Sequence, residues 1–84
     1  MTKQNMQNVI DTVTKELISI SSLLDEPNPD KQNLINKTNF IKNYFDSKTV
    51  EFRSTEDPQF LALQTALTNV DNIFEELLNE IKKA

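Results

Sequence analysis

The chain has 84 residues, a formal charge of −4 at pH 7, and no cysteine, histidine or glycine. So short a chain makes one domain with a thin core, with no disulfide or thiolate metal site to help it and without the commonest general base and metal ligand. The acidic balance argues against a nucleic-acid partner and against an anionic membrane surface, and no apolar run approaches the ~18 residues of a membrane span.

The opening residues, Met1 to Asn5, lack the apolar core of a secretory signal, so a cytoplasmic location is expected. From Met6 the apolar residues Ile10, Val13, Leu17, Ile20 and Leu24 follow in steps of four and three. That spacing keeps one stripe facing a partner helix. A helix is predicted over residues 3–25, ending before Pro27 because a residue preceding proline is pushed out of the α region. Asp25-Glu26-Pro27-Asn28-Pro29-Asp30 reads as a turn, with Asp30 as the N-cap of the next helix.

The second stretch, residues 31–53, carries Leu34, Ile41 and Phe45 on one line, with Thr38 filling its gap. Thr49-Val50-Glu51-Phe52 alternates and has strand propensity, so a break near residues 46–50 is one reading. The other is a continuous helix. No glycine or proline interrupts residues 31–56, and ~100° per residue returns Phe52 to the line of Leu34, Ile41 and Phe45. The third stretch is the most regular. Asp57 can cap, Pro58 suits a first helical position, and Phe60, Leu63, Leu67, Val70, Phe74, Leu77 and Ile81 then step by three and four. Leu61, Ala66, Ile73 and Leu78 widen this stripe. A helix is predicted over residues 58–82. Three helices of similar length with short connections pack as an all-α, antiparallel, up-down-up three-helix bundle comprising residues 1–84 as one domain.

No constellation of catalytic, cofactor-binding or metal-binding residues emerges. Glu75, Glu76 and Glu80 have no histidine to join them in a carboxylate-bridged bundle site, and they read as a solvated acidic face. The serines and threonines lack a visible base or oxyanion hole. No enzymatic activity and no cofactor is therefore expected.

Two features point to binding instead. The first is charge asymmetry. Residues 31–53 hold the bases Lys31, Lys37, Lys42, Lys48 and Arg53 against Asp46 and Glu51, whereas residues 56–81 hold Glu56, Asp57, Asp71, Glu75, Glu76 and Glu80 and no base. The two helices can pair along their flanks, or one charged face can meet a partner. The second is the pair Phe40 and Tyr44, one turn apart and roughly 80–120° off the apolar line of the second helix. With Lys37 and Glu51 on the same side, they have the makings of a hot spot, unless the bundle is wide enough to cover them. The acidic face around Asp71, Glu75 and Glu76 is the second candidate.

The composition thus leads us to expect a small, acidic, non-enzymatic helical protein that acts by binding another protein. Inhibitors, immunity proteins and regulatory partners of bacterial or phage origin are the analogous class. The alternative is a structural or assembly subunit, completed as a homodimer or larger homo-oligomer through helix three, whose apolar residues exceed the needs of one seam.

Overall fold

The computed structural model describes residues 3–84; Met1 and Thr2, part of the opening segment read above for a secretory signal, lie outside the described residues. Three helices form: α1 (Lys3–Leu24), α2 (Lys31–Arg53) and α3 (Leu61–Lys83), with a 3-10 turn at Pro58–Phe60 leading into α3. Among the described residues there is no strand, and no helix is long and apolar enough to cross a membrane.

The direction of each helix follows from chain length. Each is about 33–35 Å long at 1.5 Å per residue. The six residues 25–30 span at most about 20–22 Å when extended, so the chain must reverse there. The same holds for residues 54–60. The side-chain pairs agree: Lys42 meets Glu75, Phe45 meets Phe74, and Arg53 meets Asp71, so α3 descends as α2 ascends. Every pair of helices touches, and the result is the up-down-up three-helix bundle. It measures 45 × 18 × 17 Å, with a radius of gyration of 13.9 Å. A rounder domain of this length would have a radius of about 12 Å. The bundle is therefore a rod, and each helix keeps a long outer face.

Three stripes fill the core. α1 contributes Met6, Ile10, Val13, Leu17 and Ile20; α3 contributes Leu63, Leu67, Val70, Phe74, Leu77 and Ile81. Phe45 and Phe74 are fully buried at the centre with ring centroids 5.8 Å apart. At one end Phe60 meets Phe52 edge-on at 4.9 Å.

α2 runs unbroken through residues 46–50. Phe52 is 5% exposed and Val50 62%, the order that continuous helical phase requires. Thr49, Val50 and Phe52 all carry strand propensity, and the hydroxyl of Thr49 finds its partner inside the helix. Thr49 Oγ1 donates to the Phe45 carbonyl at 2.7 Å, and Thr38 Oγ1 to the Leu34 carbonyl at 2.8 Å. Each hydroxyl is satisfied within its own helix, so both residues can occupy fully buried positions. Thr49 thereby joins the core, which its sequence context did not indicate. Ile41, expected on the core line, is only half-buried because it sits at the edge of the stripe facing α1.

The helix ends show how the turns are held. Asp30 Oδ1 accepts from the Asn33 amide at 3.1 Å, the expected N-cap. Asn28, between two prolines, has φ 57°, a left-handed conformation that asparagine tolerates better than most residues. Helix three differs from expectation at its start. Asp57 accepts from the Gln59 amide, and the Phe60 amide donates to the Asp57 carbonyl at 3.0 Å. These tight bonds make the first turn 3-10, and the α-helix begins at Leu61 rather than Pro58. Gln64 was not singled out by its sequence context, yet its Nε2 donates to the carbonyls of both Phe52 (3.0 Å) and Thr55 (2.6 Å). It thus satisfies one carbonyl that the last turn of α2 leaves free and one in the connection that follows.

Two stability outcomes follow. Phe74→Ala or Leu67→Ala empties the centre and costs about 2–5 kcal/mol, enough in a domain this small to abolish cooperative thermal melting followed by circular dichroism. Phe52→Ala lowers the melting temperature far more than Val50→Ala. The reverse order in thermal melts would mean that α2 is interrupted in solution.

Candidate functional site

The packing of α1 against α2 leaves two grooves along the pair. α3 fills one. The other is open, a cleft of about 600 Å³. Its floor is apolar, made by Val13, Ile20 and Leu23 of α1 and Ile41 of α2. Its α2 rim carries Lys37, Phe40 and Tyr44, and its α1 rim Thr12, Glu16 and Ser19. Ile41, withdrawn from the core line, is thus a floor residue of this groove.

Phe40 is 75% exposed and Tyr44 38%. The bundle leaves Phe40 largely uncovered and covers Tyr44 in part. Lys48, one turn beyond Tyr44, places Nζ 5.9 Å from the tyrosine ring centroid, within reach of a cation–π contact. Lys48 was not among the residues singled out, although its i+4 spacing from Tyr44 carries the signal. Glu16 was missed as well, because only the fold sets α1 opposite this face of α2. Glu51 lies on the same ridge one heptad past Tyr44, exposed, and outside the residues that line the cleft.

The second candidate face is divided by the structure. Asp71 and Glu75 project toward α2. Arg53 makes a bidentate pair with Asp71, Nη1 to Oδ2 at 2.7 Å and Nη2 to Oδ1 at 3.1 Å. It also reaches Asp46 Oδ1 at 3.3 Å, and Lys42 reaches Glu75 at 3.4 Å. The complementarity of basic helix two and acidic helix three is therefore used inside the molecule at these positions. Glu76 lies on the opposite flank of α3, in a smaller cleft against α1 with Ile73, Glu80 and Ile18. Ile18 and Ile73 are both exposed there. Of the residues that widen the helix-three stripe, Leu61 is also exposed, whereas Ala66 and Leu78 are half-buried.

Arg53 anchors the densest polar cluster. Its Nε donates to Thr49 Oγ1 at 2.9 Å, and its guanidinium stands 5.4 Å from the Phe45 ring centroid. The hydrogen bond to Asp71 holds its pKa above the ordinary arginine value, against the lowering effect of burial, with the charges of Asp71 and Asp46 adding to the rise. Each guanidinium nitrogen donates to a partner within the bundle, and the cluster is a structural clamp between α2 and α3. Among the described residues no group of three or more potential ligands is placed to hold a metal ion. No family model, curated protein or solved structure matches the chain.

The two buried threonines differ in a way that can be measured. Thr38 donates only to a carbonyl already engaged in its helix, so Thr38→Val changes stability little. Thr49 also accepts from Arg53, so Thr49→Val leaves Nε without that acceptor and costs about 1 kcal/mol in chemical denaturation.

Proposed function

We propose that the chain is a non-enzymatic binding protein, and that the open α1–α2 groove is where it takes hold of another protein. The observation that carries this reading is Phe40, a phenylalanine 75% exposed on a rigid helix beside an apolar cleft. An isolated exposed aromatic is ordinary. One flanked by Tyr44 and Lys37 and backed by an apolar floor has the composition of an interface hot spot, where rigid rings supply contact area at low entropy cost. Inhibition or regulation of the protein bound is the role this architecture suits, and the cysteine-free composition is compatible with the reducing cytoplasm.

A second reading has its own observation. Ile18 and Ile73 stand exposed in the α1–α3 cleft. They offer a surface on which the chain could self-associate through helix three as an assembly subunit.

The double variant Phe40→Ala/Tyr44→Ala tests the first reading. It should melt within a few degrees of the parent, since neither ring is in the core, and should lose capture of the native partner from the host cell. A variant that is equally stable and still captures the partner would place the binding face elsewhere, with the Ile18–Ile73 cleft next in line.

A further inference from the structure

We propose that the occupant of the open groove is an amphipathic α-helix of another protein with an acidic edge, seated along α1 and α2 as a fourth helix. This rests on the groove being the binding site and names what it binds.

α3 is the internal precedent. It lies in the other groove of the same helix pair, with its apolar stripe inward. Its edge toward α2 carries Asp71 and Glu75, which pair with Arg53 and Lys42. Those two bases are eleven residues apart. On the flank of α2 that faces the open groove, Lys37 lines the cleft and Lys48 lies just past it against the Tyr44 ring, and these two are also eleven residues apart. The second pair precedes the first by five residues, which rotates it by about 140° around the helix. α2 thus presents the same basic spacing to both grooves.

The two pairs differ in what they meet. Lys42 and Arg53 are each matched by a carboxylate of α3, whereas no ion pair involves Lys37 or Lys48 among the described residues. Between those two lysines lie Phe40, Ile41 and Tyr44, an apolar ridge in the place where α3 meets Phe45 on the other side. Glu51 stands on the same ridge beyond Lys48 and outside the cleft, so along the cleft itself a molecule of net charge −4 keeps a basic edge, Lys37 and then Lys48, beside an apolar floor. Such a rim suits carboxylates on the edge of a helix whose apolar face enters the groove at i, i+3, i+4 and i+7. The α1 rim offers Glu16 between Thr12 and Ser19, so the partner's other edge is polar or basic. Asp71 and Glu75 are only four residues apart, because long basic side chains lean toward them, so the partner's carboxylates lie between one and three turns apart.

The probe is a displayed library of amphipathic helices with a fixed apolar stripe and randomised edges, selected against the full chain at low salt. The expected result is enrichment of Asp and Glu on one edge. Exchanging the two carboxylates of a selected peptide for Lys should weaken binding roughly tenfold, and the loss should shrink as salt is raised. The variant Lys37→Glu/Lys48→Glu should invert that preference and bind the Lys-edged peptide better. Selected helices that ignore Lys37→Glu/Lys48→Glu but are lost with Phe40→Ala/Tyr44→Ala would keep the groove as a binding site and overturn the acidic helix. Helices indifferent to both variants would overturn the groove itself. Failure of any helix to enrich overturns the proposal. So does self-association of the parent, seen in sedimentation equilibrium and abolished by Phe40→Ala/Tyr44→Ala, since the occupant is then a second copy.

Discussion

The unbroken hydrogen-bond ladder of α2 sets the direction of every side chain between Leu34 and Arg53, and both halves of the molecule depend on it. A break at residues 46–50 would decouple Phe45 from Phe52 and Arg53. Continuity sends Phe45, Thr49 and Phe52 into the core and carries Arg53 to Asp71. It also sends Phe40 and Tyr44 outward on a backbone that cannot relax to bury them. Exposed rings are thus the geometric counterpart of buried ones on the same helix. The two threonines allow this, since each returns its hydroxyl to a carbonyl four residues earlier and needs nothing from the neighbouring helices to be satisfied.

Charge follows the same division. The basic residues of α2 form two flanks. One is neutralised by α3, with a bidentate arginine at its end, the arrangement in which an ion pair gains most from fixed geometry. The other borders an apolar cleft and, among the described residues, forms no ion pair. Surface pairs contribute little to stability, so the neutralised flank matters chiefly for register, aligning α3 against α2. The free flank has no such internal role, and this contrast within one helix gives the groove its chemical character.

Much of the architecture was legible from spacing. The stripes of α1 and α3, the turn at residues 25–30 and the Asp30 cap all follow from three-and-four steps and proline positions, whereas for Phe40 and Tyr44 the spacing gave only a place at the edge of the core and left open whether the bundle covers them. Stripes, turn and cap are local properties that hold wherever the helices pack. Residues defined by a neighbour were not legible. Thr49 looked like a strand former, because its burial depends on a carbonyl only a continuous helix supplies. Gln64 showed nothing, because its acceptors belong to the last turn of α2 and to the connection after it. Asp71, Glu75 and Glu76 looked like one acidic face, but 71 and 75 turn toward α2 and 76 toward α1, a separation visible only when both neighbours are in place. The groove itself belongs to no single segment, and Glu16 joined it only through the pairing of α1 with α2.

The double hydrogen bond of Gln64 and the Arg53 clamp share a property beyond their local geometry: both tie α2 to α3. Directional bonds of this kind resist sliding and rotation, whereas apolar packing is non-directional and tolerates small shifts. The stripe of α1 is held by packing of the second kind. The register of α2 against α3 is therefore fixed by direction as well as by packing, and the ridge that α2 presents to the open groove inherits that register.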